Sequence, residues 1–132
     1  MKLKTHIGYD VYNLDQTINF YVETMGASLA FKNDLKKTAS LIIGGCEVNI
    51  FQVKEFGGYH SSLIKSMHIG FQCLDKNDVD EIYKRALKNK TTVFSKPYER
   101  FDGDYTFFIQ DPDGMQLEVY YGDHDFEKGA PS

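Results

Sequence analysis

The chain has 132 residues, of which 42% are hydrophobic and 26% are charged, and its formal net charge is −4. This composition is typical of one globular domain, and the scattered lysines and arginines argue against nucleic acid or an anionic membrane as a partner. The polar start and the lack of a long apolar run predict neither a signal peptide nor a transmembrane helix, so we expect a cytoplasmic protein. Cys46 and Cys73 have no CxxC spacing and are predicted to be free thiols.

The first half of the chain is predicted to form a strand, a helix and three further strands, at residues 3–11, 13–25, 28–33, 38–43 and 46–53. The first strand alternates with period two, which places His6 and Gly8 on the face opposite Ile7. The helix is expected to begin at Asn13, a good N-cap residue, and to end before Gly26.

A polar connector at residues 54–66 separates this half from a second one of the same kind, and a tail follows at 122–132. The second half is predicted to contain elements at residues 67–73, 77–89, 91–95, 104–110 and 115–121.

His6-Ile7-Gly8-Tyr9 recurs as His68-Ile69-Gly70-Phe71, an offset of 68 − 6 = 62 residues. A period this long, present twice, indicates a duplicated supersecondary unit. We therefore predict a single α+β domain, residues 1–132, made of two tandem βαβββ modules (about 3–53 and 67–121). These would form a curved, partly open mixed sheet around a shared cleft, with the helices outside.

The closing hairpins of the two modules align Asn49 with Glu118 and Ser40 with Thr106. Strand alternation then gives the sheet a polar face that carries His6, His68, Asn49 and Glu118. Burial of such a set without partners would cost several kcal/mol, so a metal, a ligand or water must satisfy it. Two imidazoles and one carboxylate are a common ligand set for divalent iron, manganese, zinc or nickel, and do not select among them.

The paired modules, the two strand-opening histidines and Asp111-Pro112-Asp113-Gly114 followed by Glu118 resemble the vicinal oxygen chelate superfamily. This group includes glyoxalase I, fosfomycin-resistance, extradiol dioxygenase and bleomycin-resistance proteins, and the resemblance covers residues 3–122. It implies one divalent transition metal (Zn, Ni, Mn or Fe) bound by His6, His68 and Glu118, with Glu118 also the catalytic residue. It further implies a small-molecule substrate held through two oxygen atoms, and a homodimer.

The chain departs from each branch of that superfamily at particular positions. Asn49 replaces the Glu, Gln or His common at the fourth ligand position of glyoxalase I, and Asp10 stands where an Arg holds glutathione. No Arg follows Glu118 to bind a phosphonate, and the His and Tyr of extradiol dioxygenases are missing. The leading hypothesis is therefore a metalloenzyme of lyase or transferase type, with a dioxygenase less expected. The alternative is a metal-free protein that sequesters a ligand or antibiotic, as bleomycin-resistance members do.

Further side chains are predicted to contact the substrate; they are Asn49, Phe51, Phe108, Tyr120 and Arg100. For the three aromatic residues, core packing explains their presence equally well. For Arg100, a solvated surface position is the competing interpretation. His60 and His124 are expected to be surface residues without a role in the site.

Overall fold

The computed structural model describes residues 1–56 and 67–122. Most of the predicted connector at 54–66 and of the tail at 122–132 therefore lies outside the described residues, as do His60 and His124. The chain forms two compact units, Met1–Ile64 and Lys65–Ser132. Within the described ranges, no helix is long and apolar enough to cross a membrane.

The first unit has the βαβββ order that the sequence predicts. Its strands are β1 (His6–Val11), β2 (Ser28–Asn33), β3 (Thr38–Ile43) and β4 (Cys46–Gln52). Helix α1 (Leu14–Asn19) begins after Asn13, whose side chain accepts a hydrogen bond from the Gln16 backbone N–H, and continues as a π-helical turn over Phe20–Thr24. The sheet order is β1-β4-β3-β2, with β1 parallel to β4 and the other pairs antiparallel.

Pairing in register decides which side chains of this sheet share a face. His6 lies beside Glu47, and Gly8 lies beside Asn49. The opposite face is apolar and contacts α1 through β3 and β4. The buried side chains of this unit include Val11, Leu14, Ile18, Tyr21, Leu41, Val48 and Ile50. The predicted division into an apolar and a polar face is thus confirmed for this sheet.

The second unit repeats the same order and topology. Its strands are β5 (His68–Gln72), β6 (Tyr98–Glu99), β7 (Tyr105–Gln110) and β8 (Gln116–Tyr121), and its helix is α2 (Lys76–Lys88). The sheet order is β5-β8-β7-β6, with β5 parallel to β8. Asp75 caps α2 by accepting from the Asn77 N–H, and α2 packs on β7 and β8 with Val79 and Ala86 buried. Across residues 1–56 and 67–122, two four-stranded mixed sheets and two α-helices confirm the predicted fold class.

The predicted strand at residues 91–95 is wrong. Val93 forms only an isolated bridge to Ile109, and the strand that pairs with β7 begins later, at Tyr98. Pro97 lies between the two contacts; it has no backbone N–H to donate to a ladder, which interrupts the pairing.

The predicted alignment of Ser40 with Thr106 is also wrong. Ser40 pairs directly with Asn49, and Phe108 pairs directly with Glu118, so Ser40 is equivalent to Phe108. The second hairpin has a longer turn than the first, closed by the Asp111 side chain, which accepts from two backbone N–H groups within the turn. Turn length alone does not determine which residues pair across a hairpin.

Candidate metal and ligand site

Glu118 lies in the middle of β8 and is almost completely buried, with 6% of its surface exposed. Its neighbours Leu117 and Val119 are fully buried on the apolar face of the sheet. Alternation along the strand therefore places Glu118 on the polar face, where Gly70 of β5 and Phe108 of β7 are its partners in register. The sheet thus buries a carboxylate at its centre.

One oxygen of this carboxylate, Oε2, has two donor groups beside it. Arg100 Nη1 donates to it at 2.8 Å, and the Thr106 hydroxyl lies 3.1 Å from it and 3.3 Å from the Val119 carbonyl oxygen, with which Oε2 shares that donor. Hydrogen bonds between a guanidinium and a carboxylate are about twice as strong as neutral ones. Oε2 is therefore fixed in position.

The other oxygen, Oε1, faces His68. The Oε1–Nε2 distance is 3.6 Å, too long for a hydrogen bond, and no residue in the described ranges donates to Oε1. A Cβ placed on Gly70 would lie 3.9 Å from Oε1, so glycine at this position leaves the space beside the oxygen open. A buried carboxylate oxygen without a donor is an unsatisfied acceptor that a cation would satisfy.

Arg100 is held in turn by two aspartates from the turn between β6 and β7. Its Nε and Nη2 lie 3.0 and 2.9 Å from Asp102 Oδ2, and Nη2 lies 3.2 Å from Asp104 Oδ2. The turn is closed by a hydrogen bond from the Arg100 backbone N–H to the Asp104 carbonyl, with Gly103 in the left-handed region at φ +91°. The bond to Asp102, followed by that to Glu118, raises the pKa of the Arg100 guanidinium.

The carboxylates around Arg100 are buried. Those of Asp102, Asp104 and Glu118 all contact the guanidinium, and each acidic side chain is less than a tenth exposed. Asp102 and Asp104 have further partners as well. Glu118 therefore belongs to a buried cluster of charged groups.

The predicted aromatic residues of this unit lie on the same face. Phe108 contacts the His68 ring edge-on, with 5.9 Å between ring centroids. Tyr120 is two residues from Glu118 on β8, and its burial, together with the negative charge of Glu118, raises the pKa of its hydroxyl. The second unit thus brings together His68, Phe108, Tyr120 and Arg100 around Glu118.

The first unit holds the remaining predicted residues on the equivalent face. Asn49 accepts a hydrogen bond from the Ser40 hydroxyl through Oδ1 at 2.6 Å. Phe51, two residues further along β4, is 43% exposed, and His6 is exposed at the start of β1. Asn49 is therefore bonded to a neutral hydroxyl, whereas Glu118 is bonded to a guanidinium.

His68 and Glu118 fit two ligands of one metal ion. Donor atoms at about 2.0–2.2 Å from a zinc-like ion are roughly 3–4 Å apart, and the observed separation is 3.6 Å. Among the residues the structure describes, no group of three or more His, Cys, Asp or Glu side chains could hold a metal. The described geometry therefore contains two of the three predicted ligands side by side, and His6 lies in the other unit.

Sequence reasoning missed three side chains that surround Glu118: Asp102, Asp104 and Thr106. It assigned Arg100 to the substrate, and that assignment stays a prediction, whereas the structure shows the guanidinium bonded to three carboxylates. The sequence does contain a signal for these contacts. Arg100, Asp102 and Asp104 are two residues apart and Gly103 lies among them, a pattern typical of a turn whose charged side chains pair with each other.

The comparisons with known proteins agree with the fold. The profile of the Glyoxalase/Bleomycin resistance protein/Dioxygenase superfamily matches residues 5–119. The chain is 23% identical over 117 residues to a metallothiol transferase FosB from Staphylococcus saprophyticus, covering 89% of this chain and 75% of that protein. It is 29% identical over 119 residues to the lactoylglutathione lyase GLX1 of Arabidopsis thaliana, which covers 86% of this chain. The chain spans only 42% of that plant protein.

Solved structures show the same architecture. The fosfomycin resistance protein FosX from Listeria monocytogenes has a TM-score of 0.75 at 21% identity, covering 93% of this chain and 95% of that one. A glyoxalase/bleomycin resistance protein/dioxygenase from Alicyclobacillus acidocaldarius has a TM-score of 0.67 at 25% identity, covering 89% of each chain.

Proposed function

The chain belongs to the Glyoxalase/Bleomycin resistance protein/Dioxygenase superfamily, and we propose that it is a metal-dependent enzyme of the vicinal oxygen chelate type. Its substrate would be a small molecule held through two neighbouring oxygen atoms, and its reaction would be of the lyase or transferase class. One observation carries this proposal: Oε1 of the buried Glu118 has no hydrogen-bond donor among the described residues and faces His68 Nε2 at 3.6 Å. We also propose that the protein is a cytoplasmic homodimer.

In this proposal His68 and Glu118 bind the ion, and His6 is the third ligand because it occupies the equivalent position on β1. A divalent metal such as Zn, Ni, Mn or Fe would act as a Lewis acid that polarises the substrate oxygens. Glu118 is also the proposed catalytic residue. Because Oε2 is engaged by Arg100 and Thr106, Oε1 would be the oxygen that accepts a substrate proton, once it has left the ion.

The remaining predicted side chains would orient the substrate. The Oδ1 of Asn49 accepts from Ser40, which turns the amide NH₂ group into the available donor for a substrate oxygen. Phe51, Phe108 and Tyr120 would contact its apolar part. The relatives support this class of chemistry, since one Listeria FosX structure holds Mn(II) and a dihydroxypropylphosphonic acid.

The first test is metal content per protomer, by elemental analysis of protein purified without a chelator or a nickel column. We expect near-stoichiometric divalent metal in the wild type and loss of it in His68→Ala and Glu118→Gln, because each substitution removes a ligand. Glu118→Gln should also abolish activity. A Glu118→Gln protein that keeps both metal and activity would contradict the proposal, and His6→Ala tests the third ligand separately.

A second candidate function is metal-free sequestration of an apolar ligand. The observation in its favour is a pair of exposed aromatic side chains on the polar face of the first unit: Phe31, 54% exposed, lies beside Ser40 in register, and Phe51 is also exposed. Exposed aromatic groups on one face suit a flat drug-like molecule. Chelator-treated protein that binds aromatic ligands as tightly as metal-loaded protein, with no metal retained by the wild type, would favour this function.

A further inference from the structure

We infer that Arg100 is a positioning residue that determines which oxygen of Glu118 is presented to the metal. This inference rests on the proposed function and deepens it, because it assigns to Arg100 a role that acts through Glu118 rather than through the substrate.

The two oxygens of a carboxylate are chemically equivalent until their surroundings distinguish them. In Glu118 they are distinguished completely: Oε2 accepts from Arg100 and Thr106, whereas Oε1 accepts from no described residue. A carboxylate held in this way can offer only Oε1 to an ion beside His68. Without the guanidinium, only the Thr106 hydroxyl would still contact Oε2, and Glu118 could rotate or bind through both oxygens.

Arg100 is itself rigidly placed, which a positioning role requires. The bonds from Nε and Nη2 to Asp102 and Asp104 leave Nη1 directed at Glu118. The backbone bond between Arg100 and Asp104 fixes the turn from which the side chain projects. A planar guanidinium forms this set of bonds because its donors diverge in one plane, and a lysine ammonium cannot reproduce it.

The contacts of Arg100 support the same role. Arg100 is only 22% exposed, and among the described residues its guanidinium contacts only carboxylates, so its donors are largely used within the protein. Four of its five N–H groups are used in these contacts, which leaves at most one, on Nη1, for an anionic substrate.

The test is a titration of metal-free protein with Co(II), followed by visible absorption, which reports both affinity and coordination geometry. Arg100→Ala should weaken Co(II) binding about tenfold to a hundredfold, the range measured for partners that orient a metal ligand. It should also change the intensity and position of the bound-cobalt bands, because Glu118 is no longer held to one oxygen. Arg100→Lys should recover part of the affinity through one bond to Oε2.

The chain provides a matched control, since it has only one other arginine. Arg85 pairs with Glu81 on the exposed surface of α2, and Arg85→Ala removes the same charge without touching Glu118. We expect its Co(II) affinity and spectrum to match the wild type. Thr106→Val, which removes the second donor to Oε2, provides a further variant if Arg100→Ala does not fold, and should weaken binding with the same change in spectrum.

The outcomes separate the two proposals. If the wild type binds Co(II), His68→Ala abolishes binding, and the Arg100 variants bind with unchanged affinity and spectrum, the inference is overturned and the proposed function stands. If the wild type binds no Co(II), or binds it equally well after His68→Ala, the proposed function fails and the inference with it. A lower melting temperature in Arg100→Ala with unchanged spectrum and affinity would show a purely structural role and would also overturn the inference.

Discussion

The two modules share strand order and pairing but differ in charge at equivalent positions. At the centre of its fourth strand the first module has Asn49, bonded to the hydroxyl of Ser40. The second has Glu118, bonded to Arg100 and Thr106. The duplicated backbone therefore supplies the positions, the fourth strand of the second module supplies the carboxylate, and the turn between β6 and β7 supplies the arginine that pairs with it. The buried carboxylate of this module thus has a counter-ion from the same module.

The largest expected difference between the modules is in metal affinity. Glu118→Ala should weaken Zn(II) or Mn(II) binding by more than about a hundredfold, beyond the range for partners that merely orient a ligand. Asn49→Ala should change it by about twofold or less, because the amide oxygen already accepts from Ser40. Isothermal titration calorimetry on both variants measures the contrast. Equal losses in the two variants would show that Asn49 is a metal ligand as well.

A smaller difference in stability is expected just after the fourth strand. Asn49 and Glu118 are equivalent, so Val53 and Gly122, each four residues further on, are equivalent as well. A Cβ on Gly122 would lie 1.8 Å from Asp104 Oδ1, so Gly122→Ala must displace the aspartate that holds Arg100. We expect a loss of about 1–3 kcal/mol in the free energy of unfolding, as for other overpacked sites. Urea denaturation measures it.

Gly8→Ala is the control for this substitution in the first module. Its Cβ would lie 3.6 Å from the nearest atom, an ordinary van der Waals contact, so the free energy of unfolding should hardly change. A Gly122→Ala protein as stable as the control would show that the packing around Asp104 can relax.

The smallest expected difference in stability is between variants that remove the hydroxyls of Thr106 and Ser40. Thr106→Val removes a bond to a carboxylate, worth about 1.5–3 kcal/mol, and Ser40→Ala removes a bond between neutral groups, worth about 0.5–1.5 kcal/mol. Thermal unfolding of the two variants under identical conditions compares them. If Ser40→Ala proves the more destabilising of the pair, the strength of the bonds to Glu118 has been overestimated.

Much of the fold follows from the sequence because its signals are periodic. The alternation in β1 and β5 and the repeated His-Ile-Gly predict two equivalent strands, and Asn13 caps α1 as expected. The face of Glu118 follows from its position between Leu117 and Val119. These features depend on local patterns, which a sequence displays directly.

The remaining features depend on pairings between distant residues. The strand predicted at 91–95 failed because Pro97 interrupts the ladder, and the alignment of Ser40 failed because strand register is decided across the turn. The bonds from Arg100 and Thr106 to one oxygen of Glu118 join residues on different strands and a turn. Composition and spacing do not encode which carboxylate a given arginine will reach.

The residues that hold Arg100 lie close to it in the sequence, and this has an evolutionary consequence. Arg100, Asp102 and Asp104 come from one turn, so a single loop replacement removes or transfers all three, while Thr106 and Glu118 stay on their strands. A module can therefore lose the partners of its carboxylate and keep its fold, since no residue of that turn belongs to the helix or to the parallel strand pair. In a duplicated protein, one copy can carry such a turn while the other does without it.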